Sequence, residues 1–129
     1  MDPTKATVRY MIDDVAKAIA FYTTHLGFVV ESAALPAFAA VTRGPLRLIL
    51  SGPGSSGRRP MPDGRQTVPG GWNRIQIPVA DLAKEVERLR ASGLQFRNEI
   101  LSGVGGSQII LDDPFGNPIE LFQPATQDS

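Results

Sequence analysis

The sequence lacks cysteine entirely and has a single histidine, His25, among its 129 residues. A chain without cysteine can form no disulfide, offers no thiolate nucleophile, and cannot hold zinc or an iron–sulfur cluster through sulfur. One histidine likewise excludes any metal site that needs two histidine ligands from the same chain. The absence of disulfides suits a reducing compartment, and we expect a cytoplasmic protein.

The chain also lacks an excess of charge and any long apolar run. Lysine plus arginine and aspartate plus glutamate number 13 each, so the formal net charge is zero. Without a basic stripe carrying interleaved aromatic residues, the composition predicts no nucleic-acid partner. No apolar run comes close to the length of a membrane span, about 20 residues, and residues 1–5 lack the apolar core of a secretory leader. We therefore expect no membrane association.

Two halves of the chain carry the same pattern. Residues 14–17 (Asp-Val-Ala-Lys) correspond to residues 81–84 (Asp-Leu-Ala-Lys), and the alternating apolar residues of the strand before each segment correspond as well. Residues 47–50 match residues 118–121 in a similar register. Each half therefore predicts a strand, a helix and then further strands.

This repeat predicts one domain over residues 1–129, built from βαβββ modules at residues 6–51 and 72–124. The linker between them, residues 52–71, is half glycine and proline. A connection of this length is usually functional or a tether. The sequence is compatible both with a mobile tether and with a flap that covers a ligand.

In both halves an aspartate precedes a stripe of apolar residues with helical spacing, and a glycine follows it. Asp14 or Asp13 is expected to cap the first helix and Asp81 the second, while Gly27 and Gly93 end them. The predicted strands alternate, with one apolar face for the helix and a second face that mixes polar and apolar side chains. That second face suits the wall of a ligand-sized cavity.

Residues 12–15, 20–22 and 25–28, with the ending Asp-Asp-Pro-Phe-Gly-Asn-Pro-Ile-Glu-Leu at residues 112–121, carry a family resemblance. The chain resembles the vicinal oxygen chelate superfamily, which includes glyoxalase I, the bleomycin-resistance proteins and the extradiol dioxygenases. The resemblance implies an α+β fold in which two βαβββ modules in tandem, each a curved mixed sheet packed on one helix, together form a cup-shaped cavity. It also implies a homodimer.

The resemblance further implies four metal-ligand positions, on the first and fourth strand of each module. These positions hold Thr7, Ile49, Arg74 and Glu120. Only Glu120 is a good ligand for a divalent cation, and Arg74 places a positive charge where the metal would lie. We therefore expect no divalent metal and no other cofactor. Two uses of Arg74 stay open: an ion pair with Glu120, or a partly free guanidinium that holds a ligand oxygen, oriented by Glu120.

The residues expected to face a ligand combine arginines, neutral hydrogen-bonding groups and apolar wall, as small-molecule pockets commonly do. They are Thr7, Arg9, Arg47, Ile49, Trp72, Asn73, Arg74, Gln76, Gln108 and Phe122. Trp72 is compatible with stacking on an aromatic ligand and equally with packing at a module or dimer boundary. A strand is predicted over residues 97–99, where Arg97 and Glu99 would reach the ligand or form a surface pair.

Two functions follow from these residues and the resemblance. The first is a metal-free protein that binds a small organic molecule, aromatic or acidic, for resistance or sequestration. The alternative is an enzyme of the same superfamily, a lyase, isomerase or dioxygenase, with Glu120 as general base or metal ligand. The absence of good ligands at three of the four metal positions favours the first.

Overall fold

The computed structural model describes residues 4–126. Residues 1–3, which belong to the N-terminal segment where no secretory leader is expected, lie outside the described part. In chain order the elements are β1 (Ala6–Met11), α1 (Val15–His25), β2 (Val29–Ala34), β3 (Phe38–Arg43), β4 (Leu46–Ser51), β5 (Ile75–Pro78), α2 (Leu82–Ala91), β6 (Leu101–Gly103), β7 (Gly106–Asp112) and β8 (Pro118–Pro124). A short 3₁₀ helix covers Ser56–Arg58. The order βαβββ occurs twice, which confirms the predicted α+β fold of two tandem modules.

The first module forms a four-stranded mixed sheet, sheet 1, in the order β1-β4-β3-β2. β1 runs parallel to β4, and the other two pairings are antiparallel. Helix α1 packs on one face, where alternate strand residues are buried. The core includes Ile12, Tyr22, Val41, Leu48 and Leu50, each with no exposed surface. The opposite surface of sheet 1 is its helix-free face.

The second module repeats this arrangement in sheet 2, with the order β5-β8-β7-β6. β5 is parallel to β8, and the remaining pairs are antiparallel. Helix α2 buries Leu82, Val86 and Leu89, the three apolar residues of its predicted stripe. The strand residues that complete this core include Ile109 and Ile119. Sheet 2 likewise has a helix-free face.

Both helices begin where the sequence predicts. Asp14 is the N-cap of α1, and its side chain accepts a hydrogen bond from the backbone N–H of Lys17 at 3.1 Å. Asp81 caps α2 in the same way, accepting from the backbone N–H of Lys84 at 3.1 Å. Each interaction satisfies one of the backbone donors that a helix start leaves unpaired.

The chain divides into two compact units. Unit 1 holds the residues up to Gly70 together with Pro114–Asn117, and unit 2 holds Gly71–Asp113 and the chain from Pro118. The buried Asn117 belongs to unit 1, where its Nδ2 donates to the backbone oxygen of Met11 at 2.8 Å and its Oδ1 accepts from the backbone N–H of Gly70 at 2.9 Å. These bonds fix the segment that joins β7 to β8.

One predicted strand is absent. Residues 97–99 form bends and irregular structure, and β6 begins later, at Leu101. Phe96 makes an isolated bridge to Leu111, and the Asn98 side chain accepts from the backbone N–H of Ile110 at 2.9 Å. The Asn98 side chain therefore bonds to a β7 backbone group that a neighbouring strand would otherwise pair with. Residues 97–99 run beside β7 but do not form a strand.

Candidate functional site

In unit 1, β1 and β4 place four of the predicted ligand-facing residues together. Thr7 is the register partner of Arg47, and Arg9 is the register partner of Ile49. Because side chains alternate along a strand, these four residues share the helix-free face of sheet 1. The prediction that they lie on one surface is correct in this respect. Their hydrogen bonds divide them into two small clusters.

The first cluster surrounds Arg47, which is only 1% exposed. Its Nε donates to Glu31 Oε2 at 2.7 Å and its Nη2 donates to Glu31 Oε1 at 3.0 Å, a bidentate pair. Its Nη1 donates to the hydroxyl of Thr7 at 3.2 Å. The guanidinium holds the pKa of Glu31 below its ordinary value, first through the hydrogen bond, whereas loss of water contact acts the other way. Arg47 is therefore engaged within the protein.

Glu31 is a residue that the sequence analysis missed. It lies in β2 where the register with β3 shifts between Val30 and Ser32, a bulge that alternation cannot predict. A weaker signal was present in the sequence, because Glu31 is the only acidic residue between positions 15 and 62. Glu31 is therefore the one carboxylate of the first module that lies outside the start of α1, which made it a candidate partner for a buried arginine.

The second cluster of unit 1 positions Arg9. Its Nη1 donates to the buried hydroxyl of Ser51 at 2.7 Å. Gly57, in the 3₁₀ helix of the linker, lies against the same guanidinium, and a Cβ at that position would overlap it. No carboxylate of residues 4–126 lies within ion-pair distance of Arg9, which is itself exposed. Arg9 thus keeps hydrogen-bond donors for a partner outside the described chain.

In unit 2, Glu120 lies at the centre of a polar network on the helix-free face of sheet 2. Its Oε1 accepts from Nε of Arg74 at 3.0 Å and from Nη2 of Arg74 at 2.9 Å. Its Oε2 accepts from Nε2 of Gln76, its register partner on β5, at 2.6 Å. The Arg74 Nη1 also donates to the backbone oxygen of Trp72 at 3.3 Å. The expected ion pair between Arg74 and Glu120 is therefore present, and the use of Arg74 toward a ligand oxygen stays a prediction. Arg74 lies one residue before β5, not on the strand as predicted.

The remaining predicted residues lie in the same unit but differ in exposure. Gln108 and Phe122 are register partners on β7 and β8, and both are half-buried. Trp72 and Asn73 precede β5 and are exposed. The guanidinium carbon of Arg97 lies 4.7 Å from the centre of the Trp72 ring system. Arg97 itself pairs with Asp112, and Glu99 pairs with Arg90.

The donors at the four implied metal positions do not fit a divalent cation. Thr7 is a neutral hydroxyl in contact with Arg47, and Ile49 has no donor atom. Both oxygens of Glu120 already accept hydrogen bonds, and Arg74 carries a permanent positive charge beside them. Among the described residues, no three histidine, cysteine, aspartate or glutamate side chains form a group suited to a metal. A stable site for such an ion requires three or four ligands.

A cavity of about 380 Å³ opens at the start of α1 in unit 1. It is lined by residues 13–16 together with Leu35, Pro36 and Pro53. It contains none of the predicted ligand-facing residues, and Asp13 and Asp14 contribute two carboxylates to its wall. An acidic ligand is therefore better suited to the Arg9 cluster than to this cavity.

Across residues 4–126, neither helix has the length and apolar character needed to cross a membrane.

The sequence model of the Glyoxalase/Bleomycin resistance protein/Dioxygenase superfamily matches residues 6–121. No curated protein matches the sequence significantly.

Solved structures match over nearly the whole chain. A superfamily member from Sphaerobacter thermophilus is 24% identical with a TM-score of 0.75, covering 95% of this chain and 98% of that one. Lactoylglutathione lyase from Agrobacterium tumefaciens is 22% identical with a TM-score of 0.73, covering 95% and 96%. The fosfomycin resistance protein FosX from Listeria monocytogenes is 15% identical with a TM-score of 0.71, covering 97% and 96%. At these identities the structural likeness shows the fold alone.

Proposed function

The chain belongs to the glyoxalase/bleomycin resistance protein/dioxygenase superfamily, and from this premise we propose that it is a metal-independent binding protein for a small organic acid. The observation that carries the proposal is the state of Glu120. It is the one carboxylate at the implied metal positions, and Arg74 and Gln76 already occupy both of its oxygens. A function that needs no metal is the one these side chains support.

The acidic character of the ligand is argued from the charges of unit 1. The helix-free face of sheet 1 carries Arg9, Arg47 and Glu31, and the bidentate pair neutralises Arg47 with Glu31. Arg9 is left with its positive charge uncompensated on this face among the described residues. A guanidinium with free N–H groups is suited to a carboxylate, which it can bind through two parallel hydrogen bonds.

The surroundings of Arg9 supply both positioning and apolar contact. Ser51 accepts a hydrogen bond from the guanidinium and Gly57 lies against it, and these contacts reduce the side-chain entropy lost when a ligand binds. Ile49 and Met11 are half-buried on the same face and offer apolar surface. We therefore expect the ligand to combine a carboxylate with an apolar body.

The test compares benzoate with its neutral counterpart benzamide by isothermal titration calorimetry in the presence of a chelator. We expect benzoate to bind more tightly than benzamide, because only benzoate presents a carboxylate to Arg9. The R9Q variant should lose about tenfold in benzoate affinity, the lower end for a hydrogen bond to a charged group at an exposed site. R9Q should bind benzamide, the weaker ligand, with the same affinity as the wild type.

R88Q is the matched control, since Arg88 is an exposed arginine of α2 that pairs with Glu85. It should bind benzoate as the wild type does. Equal binding of benzoate and benzamide at millimolar concentration, or benzoate binding that occurs only when the chelator is left out, would contradict the proposed function.

The alternative, an enzyme that uses Glu120 as general base, has weaker support. A general base must present an oxygen to the substrate proton, and Glu120 is buried with hydrogen bonds from Arg74 and Gln76 on both oxygens. The homodimer and the cytoplasmic location expected from the sequence are part of the proposal. A light-scattering mass of one chain at micromolar concentration would contradict the homodimer.

A further inference from the structure

Trp72 is the only tryptophan of the chain, and it is 72% exposed. An indole buries a large apolar area when it packs in a core, so an exposed tryptophan leaves that stabilisation unused. One face of this indole is covered, because the guanidinium of Arg97 lies 4.7 Å from the ring centre. With so much of the residue exposed, the opposite face is open.

Arg97 is itself held in place from several directions. Its Nε donates to Asp112 Oδ1 at 2.7 Å, and its Nη1 donates to the backbone oxygen of Gly71 at 2.9 Å. Its backbone N–H donates to the oxygen of Ile110 in β7 at 2.7 Å. The Arg97 side chain is only 19% exposed. The guanidinium is thus a fixed support for the indole, with its charge balanced by Asp112.

A second arginine–aromatic contact in unit 2 provides a contrast. The guanidinium carbon of Arg90 lies 5.2 Å from the centre of the Phe96 ring. Phe96 is half-buried and bridges to Leu111, so this contact is part of internal packing. Trp72 has the same kind of cationic support but presents its ring to the outside.

We infer that Trp72, supported by Arg97, is a stacking site for a planar aromatic ring of a small molecule. A flat ring placed on the open face would bury apolar area on both partners in the offset-stacked geometry that aromatic pairs prefer. The guanidinium on the covered face adds a positive charge beside the indole, which favours an uncharged ring over a cation on the open face. Arg97 is a positioning residue in this site, and Trp72 is the residue that touches the ligand.

This inference stands apart from the acid site of Arg9, because residues of unit 2 alone carry it. Its probe is therefore an uncharged aromatic compound, para-nitrobenzamide, with cyclohexanecarboxamide as the non-aromatic counterpart. Since Trp72 is the sole tryptophan, its fluorescence reports on this position and no other. We expect saturable quenching by para-nitrobenzamide that exceeds the collisional quenching of free N-acetyltryptophanamide. Cyclohexanecarboxamide should leave the emission unchanged.

Substitutions separate stacking from positioning. W72F should bind para-nitrobenzamide within a few-fold of the wild type by calorimetry, whereas W72L should lose on the order of threefold to tenfold, the range of an aromatic pair. R97Q should weaken binding about twofold to fivefold, as expected for loss of a cation–π contact. It should also increase the rotational freedom of Trp72 in time-resolved anisotropy.

R90Q is the matched control, because it removes an arginine that also has an acidic and an aromatic partner in unit 2. It should leave both binding and anisotropy unchanged, and circular dichroism verifies folding of each variant. Three results would overturn the inference. They are quenching that is linear and merely collisional, binding of para-nitrobenzamide by W72L as tight as by the wild type, and a Trp72 anisotropy in R97Q equal to that of the wild type. Tryptophan emission that shifts to the blue with rising protein concentration would also overturn it, by assigning the open face to a second copy of the chain.

Discussion

Arg47 has almost no exposed surface, yet its strand position alone places it among residues that face a ligand. Alternation along β4 predicts which face it occupies, but not which partner it meets there. The partner, Glu31, is displaced by the bulge in β2, so its contact depends on tertiary structure. Arg74 behaves differently: the family resemblance implies that it and Glu120 occupy two positions of one vacated metal site, and the two side chains do form an ion pair. That charge partner was predictable because it did not depend on an irregularity of the ladder.

The Glu31–Arg47 pair predicts a specific pH dependence of stability. Because the pKa of Glu31 is lowered in the folded state, its contribution is fully present above its ordinary pKa of 4.5 and is lost as the pH falls through the lower, folded value. Thermal melts between neutral pH and about pH 3 should show a steeper loss for the wild type than for E31Q. At neutral pH, E31Q should melt several degrees lower, because it leaves the buried guanidinium without its carboxylate.

E99Q provides the control for this prediction, since Glu99 forms an ion pair that is mostly exposed to water. Its melting profile should follow that of the wild type throughout, as expected for surface pairs. If E31Q and the wild type lost stability in parallel as the pH fell, the pair would not have the role assigned to it.

The helices and strands that bury one face could be predicted from the sequence, whereas the strands that bury neither face could not. The two helices and the inner strands have the apolar periodicity that burial imposes. All residues of β2 and β6 are exposed, so these edge strands show no burial-driven alternation. The same cause explains the wrong strand at residues 97–99, where alternation was inferred in a segment held by side-chain hydrogen bonds.

The repeated helix caps give a prediction at the scale of the element. D14A and D81A should each lower the free energy of unfolding by about 1 kcal/mol, because each removes the acceptor for one helix N–H. Urea denaturation of the two variants measures the change. D13A is the control: Asp13 is exposed and contributes only a long ion pair to Arg58, so its loss should cost no more than about 0.5 kcal/mol. If D13A lowered the free energy of unfolding as much as D14A does, the assignment of Asp14 as the N-cap of α1 would be wrong.

For the whole molecule, the fold followed from the sequence because the chain encodes the same module twice. The family resemblance is confirmed by the match over residues 6–121. The candidate site was predictable only in outline. Thr7, Arg9, Arg47 and Ile49 lie on the predicted strands, whereas Arg74 lies just before β5. The bulge in β2 that brings Glu31 to Arg47 and the contact of Gly57 with Arg9 were not predictable from the sequence. The cup-shaped cavity stays a prediction.

The central claim, that the protein works without a divalent metal, is tested most directly by melting curves. Protein purified without chelator is melted alone and with Zn²⁺, Ni²⁺, Mn²⁺ or Fe²⁺, after elemental analysis of the same sample. A native-state ligand at 100 times its Kd would add about 2.7 kcal/mol to the free energy of unfolding and raise the Tm clearly. We predict metal far below one ion per chain and no shift in Tm. Near-stoichiometric metal, with a rise in Tm that E120Q abolishes, would contradict the account and assign Glu120 to a metal site.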